Sequence, residues 1–421
     1  MRLPEPEYSF TIPSIHDDTT LNCRVYHPEG LDERRPSTPD ATTQWRTRGI
    51  IMAHPYAPMG GSYDDRVVGM IVDEFLQAGY IVGTFNFRYD PRRAEDDALG
   101  LTYSRGAHGS KGRTSWSGKP ELDDYTSFAA FFVHYVTYLR PHPTPDVSFS
   151  PDQSPVKPRA SQIEPSASGK ARETPLVILG GYSYGSLILK HLPPVPTLLQ
   201  PFSSPVTGSA SDEIIMRAHK LADQSNLAWI NTARSREREQ KARTKHHEQK
   251  PSLTMGGEET SPDKRRSSRD VRRSVEGGLS VEIGSRLRSL SHRRRKDSSP
   301  AVSLEKKATT LSTLPEVRYL LISPLSPPIS TLAAPALGHK IWNRGTEAFH
   351  DVIGKHATFA IYGGQDIFTS AKRTRAWSEQ LRAAPGSRFT SLEVAEAGHF
   401  WVEKGVEQKL RVALRDWQNH I

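Results

Sequence analysis

The chain has 421 residues, 56 Lys+Arg against 47 Asp+Glu for a formal net charge of +9, and a single cysteine. That length suits two or three domains, or one large α/β domain carrying insertions. A lone Cys23 excludes a disulfide framework and a cysteine-based zinc site and fits a reducing compartment. No apolar run reaches the ~18 residues a membrane span needs, and the opening MRLPEPEYSF lacks the basic and apolar regions of a secretory leader, so neither is expected.

In chain order, YSFTIPS and TLNCRVYHP read as an N-terminal strand pair. GIIMAH (49–54) is a buried strand, followed by a helix through Val67, Val68, Ile71, Val72, Phe75 and Leu76. YIVGTFNF (80–87) is the next strand, and residues 121–139 have helical spacing. PLVILGG (175–181) is another buried strand that runs straight into a helix, SYGSLILKHL. Strands then follow at 317–323, 356–364 and 389–397, with helices at 371–384 and from Glu403 onward. Strands with apolar centres alternating with helices predict an α/β fold, a mostly parallel central sheet with helices on both faces.

Three segments break this pattern. LDERRPSTPDATT (31–43) and the Pro/Ser-rich stretch 141–173 read as surface loops swollen by insertion, which costs little loop entropy. Residues 231–310 hold 21 Lys+Arg and 11 Asp+Glu, a net of +10, leaving the rest of the chain at −1. Without sustained apolar periodicity this tract cannot offset ordering entropy, and disorder is expected there. The predicted organisation is an N-terminal part at 1–200, an insertion at 201–313 with a helical start and the basic tract, and a C-terminal part at 314–421. The helical start carries Ile214, Ile215, Ala218, Leu221, Ala222, Trp229 and Ile230 at near-helical spacing, fitting a docked helix, a lid, or a face for a membrane or partner.

Gly181-Tyr182-Ser183-Tyr184-Gly185 is a G-x-S-x-G, weak alone but placed where an apolar strand enters a helix, as a nucleophile elbow requires. Asp366 and His399 follow the next-to-last and last predicted strands, in the chain order serine, acid, histidine. A serine hydroxyl needs a base to take its proton, and the imidazole needs a buried carboxylate to fix its tautomer. Each residue also has a plainer reading: a serine in a Gly-rich turn, a carboxylate capping the next helix, a histidine packed against Phe400 and Trp401. Asp351, His350, His356 and Glu396 are less suitably placed relative to strand ends.

With His54-Pro55-Tyr56-Ala57-Pro58-Met59-Gly60-Gly61-Ser62 after the strand at 49–54, and Asn86-Phe87-Arg88 ending the next, the chain resembles a serine hydrolase of the α/β-hydrolase fold. The branch it resembles is that of small dienelactone-hydrolase-like esterases, over about 8–140, 174–200 and 315–421. The resemblance implies Ser183, Asp366 and His399 as catalytic residues. It also implies an oxyanion hole from the backbone N–H of Tyr184 and of Tyr56 or Ala57, with Tyr56 favoured and Pro55 excluded for want of an N–H. His54 then organises the loop. Trp116 and Tyr103, on an extended loop at 89–120, are candidates to shape a pocket or to cover the next helix, and Tyr182 is a candidate substrate contact. SPPISTLAAPALGHKIW (326–342) could supply a reduced cap.

No G-x-G-x-x-G follows a strand and no Walker or H-E-x-x-H sequence occurs, so no cofactor, nucleotide or metal is expected. Basic clusters such as Arg265-Arg266, Arg272-Arg273 and Arg293-Arg294-Arg295-Lys296 suit an anionic membrane surface, a kinase, or nuclear import; no motif supports specific nucleic-acid recognition. The expected activity is hydrolysis of a small-molecule ester or thioester in the cytoplasm, with nuclear or peripheral membrane association open through the basic tract. An acyltransferase or peptidase using the same residues, or a hydrolase-fold scaffold acting through the insert, are the alternatives.

Overall fold

In a computed structural model, residues 4–31, 47–88, 115, 117–141, 174–248, 313–326, 329–334, 337 and 352–420 are described. The strands are β1 (Tyr8–Pro13), β2 (Thr20–Tyr26), β3 (Arg48–Ala53), β4 (Ile81–Phe85), β5 (Leu176–Tyr182), β6 (Glu316–Ile322), β7 (Thr358–Gly363) and β8 (Phe389–Val394). They form one sheet in the order β1-β2-β4-β3-β5-β6-β7-β8. β1–β2 and β2–β4 are antiparallel, and every later pair is parallel. The helices are α1 (Arg66–Gln77), α2 (Lys119–Tyr138), α3 (Tyr184–Leu189), α4 (Val195–Leu199), α5 (Ala210–Glu248), α6 (Ile329–Ala333), α7 (Ala371–Ala383) and α8 (Val406–Asn419). This is the mostly parallel α/β sheet anticipated from the alternation of strands and helices, and the α/β-hydrolase fold that the resemblance implied.

Two apolar cores lie on opposite faces of the sheet, because central strands such as β5 are buried along their whole length. One joins α1 and α8 through Val68, Ile71, Phe75, Leu410 and Leu414 to Ile50, Val82 and Ile178. The other joins α2, α3 and the start of α5 to Ile51, Phe85 and Leu179. α2 approaches the sheet where β3 and β4 carry Gly49 and Gly83. A Cβ on either glycine would lie 2.7 Å from the Phe132 ring, so bare backbone accommodates that side chain.

The insertion starts as a docked helix. Ile214, Ile215, Ala218 and Ala222 of α5 are buried in the second core. The Ser225 hydroxyl bonds Tyr8 Oη at 2.9 Å and Tyr135 Oη at 3.1 Å. α5 continues to Glu248, well inside the segment expected to lack structure. Its charged end is rich in Ala, Arg, Glu, Gln and Lys, which lose little freedom in a helix, so intrinsic propensity sustains what apolar periodicity does not. By internal contacts Glu237–Lys307 separates as a second unit, described only as far as residue 248. The Pro/Ser stretch at 142–173, the loop at 32–46, the basic clusters at 265–296, Tyr103 and Trp116 lie outside the described residues. No described helix is long and apolar enough to cross a membrane.

Candidate active site

The parallel strands deliver their following loops to one edge of the sheet, where the sequence placed its chemistry. β5 ends at Tyr182 and α3 begins at Tyr184, so Ser183 takes the whole turn, with φ +55° and ψ −111°. A non-glycine residue there carries about 1–3 kcal/mol of strain, which persists only because its surroundings fix it. Ser183 donates its N–H to Ile322 O at 2.9 Å, and the Ser186 hydroxyl bonds both Ile322 O, at 3.0 Å, and Gly181 O. The flanking glycines are required by close approach: a Cβ at Gly185 would lie 2.6 Å from Ala53 O, and one at Gly181 would strike the Gly185 backbone.

His399, 3% exposed, stands between Ser183 and Asp366. Its Nε2 is 2.7 Å from Ser183 Oγ and its Nδ1 is 2.7 Å from Asp366 Oδ2. A carboxylate can only accept, so Nδ1 carries the proton and Nε2 is left to accept from the serine hydroxyl; the tautomer follows from the network. The other Asp366 oxygen accepts the N–H groups of Phe368 (2.8 Å) and Thr369 (2.9 Å). The turn-capping role and the contact with histidine thus coexist on one carboxylate. His399 is likewise both packed against Phe400, with ring centroids 5.4 Å apart, and bonded to the serine.

His54 is fully buried and ties two loops together. Its Nε2 accepts the Phe87 N–H at 2.9 Å, and its Nδ1–H donates to Pro55 O at 2.5 Å. Burial lowers its pKa to about 4, so it is neutral at pH 7 and free to act as acceptor. Beyond Pro55, Tyr56 has φ −60°, and its carbonyl accepts the Met59 and Gly61 amides, both at 3.1 Å. Its ring lies 4.9 Å from that of Tyr184. Tyr184 is the first residue of α3, a position whose N–H has no acceptor within the helix itself.

A second tier holds these loops. Asn86 Oδ1 accepts the Tyr63 N–H at 2.8 Å. Arg88, 3% exposed, grips Asp124 through Nη2 (2.6 Å) and Nε (3.0 Å), and reaches Asp17 (2.9 Å) and Ser14 (3.0 Å). Trp401 has φ +55° and donates its indole N–H to Ser323 Oγ at 3.0 Å, pinning the histidine loop to the end of β6. Asp65 caps α1 through the Val67 and Val68 amides; burial raises its pKa, while those amides and the nearby His399 pull it down.

Tyr182, a candidate substrate contact on the sequence, is 1% exposed. Its hydroxyl donates to His399 O at 2.9 Å, so it supports the histidine loop from within the core and presents no surface to a ligand. Trp116, the other candidate, lies outside the described residues. Among the lesser candidates, Glu396 pairs with Lys409 on the surface, and His356 precedes β7 at the opposite sheet edge. His350 and Asp351 are outside the described residues. Sequence reasoning missed Asp65, although an Asp immediately before an apolar-periodic helix is the usual capping signal. It also missed Phe368 as a neighbour of His399, since Phe368 sits on the separate loop that carries Asp366. No described group of three or more His, Cys, Asp or Glu is placed to hold a metal ion.

No protein-family model and no curated relative matches the sequence. Among solved structures it is similar to an α/β serine hydrolase homologue from Coxiella burnetii, at 12% identity, 99% of both chains and a TM-score of 0.39. It is also similar to XC6422 from Xanthomonas campestris, an α/β serine hydrolase without a lid, at 14% identity, 100% and 97% coverage and a TM-score of 0.42. A third is Est1E from Butyrivibrio proteoclasticus, at 9% identity, 98% of both chains and a TM-score of 0.41. Similarity this distant decides nothing about chemistry, and the assignment of the fold rests on the strand order and register of the chain itself.

Proposed function

We propose that the chain is a serine hydrolase that cleaves a carboxylic ester or thioester through an acyl-enzyme. The observation that carries this reading is the unbroken line Ser183 Oγ–His399 Nε2–His399 Nδ1–Asp366 Oδ2, with both links at 2.7 Å. Ser183 Oγ attacks the substrate carbonyl while His399 Nε2 takes the hydroxyl proton, and Asp366 stabilises the imidazolium without being protonated. The backbone N–H groups of Tyr184 and Tyr56 receive the developing oxyanion. His399 then gives its proton to the leaving oxygen or sulfur as the bond to the acyl carbon breaks. Water, deprotonated by the same nitrogen, releases the acid and restores the serine.

A catalytically idle scaffold would have no need of a serine held at positive φ or of a histidine buried between hydroxyl and carboxylate. The basic tract at 231–310 is then an added device, whose deletion should alter localisation and leave hydrolysis in place. Pre-steady-state turnover of p-nitrophenyl acetate tests the mechanism. A burst of one p-nitrophenolate per chain, with an acetyl adduct on the Ser183 peptide, is expected. Folded protein that gives neither burst nor adduct with a panel of activated esters would contradict it.

A further inference from the structure

The proton that leaves His399 Nε2 must reach the leaving-group oxygen, so the alcohol portion of an ester has to lie on the histidine side of Ser183. That side is aromatic. The Phe368 ring meets the His399 ring edge-on at 4.7 Å, Phe400 meets it at 5.4 Å, and the two phenylalanines touch at 5.8 Å. His399 itself is buried, yet Phe400 is 46% exposed; on the same two loops Ile367 is 77% exposed and Val402 62%. Ile367 is next to Asp366, and Val402 closely follows His399, so the loops that carry a buried histidine–carboxylate hydrogen bond turn these apolar side chains outward.

From this juxtaposition we infer that the leaving group is a bulky apolar alcohol, which lies on Phe368 and Phe400 with Ile367 and Val402 extending the surface it covers. The inference rests on the serine-hydrolase reading and specifies its substrate. Single exposed apolar residues are ordinary, but here three lie on the two loops that carry the acid and the histidine, and one of them, Phe400, packs its ring against His399. A hexyl leaving group offers more apolar surface to these side chains than an ethyl group does. Each added methylene that leaves water favours binding, and one methylene commonly changes selectivity about ten-fold or more. In the step itself, the carbon–oxygen bond of the tetrahedral adduct breaks, the carbonyl re-forms on the acyl-enzyme, and the departing alkoxide takes the His399 proton.

The test holds the acyl group constant and varies the alcohol, then does the reverse. With wild type, kcat/KM for hexyl acetate is expected to exceed that for ethyl acetate by ten-fold or more. In the double variant Ile367→Ser/Val402→Ser, and separately in Phe400→Ser, that ratio should fall about ten-fold, whereas the ratio of ethyl hexanoate to ethyl acetate should hold. Met216→Ser, which removes an exposed apolar side chain from α5, should leave both ratios as in wild type. Fluorophosphonate labelling of each variant shows that its serine site is assembled. An alcohol ratio that does not move in labelled variants overturns the inference alone, and so does a fall in the acyl ratio in its place. Folded wild type that takes no label and hydrolyses none of these esters overturns the hydrolase reading and this inference with it.

Discussion

Asp366 serves His399 with one carboxylate oxygen and its own turn with the other: Oδ2 accepts the hydrogen bond from Nδ1–H at 2.7 Å, while Oδ1 accepts the amides of Phe368 and Thr369. The two tasks separate by substitution. Asp366→Asn keeps an oxygen for the turn but offers an N–H to Nδ1, which forces the wrong histidine tautomer. Its kcat should fall about 10⁴-fold with an unfolding midpoint close to wild type. Asp366→Ala loses the turn acceptor as well and should also lose about 1 kcal/mol of stability by urea titration. Equal stability in the two variants would mean the turn bonds contribute nothing.

The second backbone donor can be assigned with proline, which deletes an N–H while fixing φ at about −65°. Tyr56 has φ −60°, so proline fits its φ. Tyr56→Pro should lower kcat about 10²- to 10³-fold with a smaller change in KM. If Ala57→Pro gives that loss and Tyr56→Pro does not, the donor is Ala57. His54→Ala removes the link between Phe87 N–H and the Pro55 carbonyl, so kcat should fall through loss of loop position. His54→Gln, which retains an acceptor, should recover part of it.

Buried neutral histidines make the fold acid-sensitive. His54 and His134 are 0% and 1% exposed, and burial lowers the pKa of each to about 4, with His219 adding to the effect at His134. Below their unfolded value near 6.5 the unfolded chain binds the extra proton, so stability is lost as pH falls from about 6.5 towards 4. At pH 5 each group costs ~2 kcal/mol relative to pH 7. His134 Nδ1 has no hydrogen-bond partner among the described residues, which makes His134→Phe a clean test. Between pH 7 and pH 5 this variant should lose ~2 kcal/mol less than wild type in urea unfolding, the linkage contribution of one such histidine. An identical loss would remove His134 from the account.

The buried ion pair between Arg88 and Asp124 should behave asymmetrically. Asp124 is 0% exposed, so Arg88→Met strands its carboxylate and should destabilise by about 3–5 kcal/mol. The double variant Arg88→Met/Asp124→Leu should recover most of that. If the double variant is as unstable as the single, the polar contacts to Ser14 and Asp17 matter more than the charge pair.

Much of this architecture is legible in the sequence, for identifiable reasons. β3, β5, β6 and β7 are short apolar runs bounded by turn residues, and their burial on both faces is what such runs require. Ser183, Asp366 and His399 stand out because each lies in the turn or loop that follows one of these strands or β8, and the sheet converts position after a strand into a shared edge. What could not be read is made by partners distant in sequence. The Phe87 amide reaches back 33 residues to His54, and Asp124 lies 36 residues from Arg88, so Asn86-Phe87-Arg88 was visible as a motif without its contacts. Tyr182 was misread because a residue beside a nucleophile in sequence points to the opposite side of its strand, here into the core. The charged end of α5 was missed because it is sustained by residue-by-residue propensity, and apolar spacing detects only helices that pack.

The central claim is that Ser183 is an activated nucleophile. The most direct measurement is labelling of folded protein by a fluorophosphonate, with the adduct mapped by mass spectrometry in wild type, Ser183→Ala and His399→Ala. One adduct per chain on Ser183 is expected, with none in Ser183→Ala and labelling slowed by several orders of magnitude in His399→Ala. Folded wild type left unlabelled, or an adduct on another serine that survives Ser183→Ala, would contradict it.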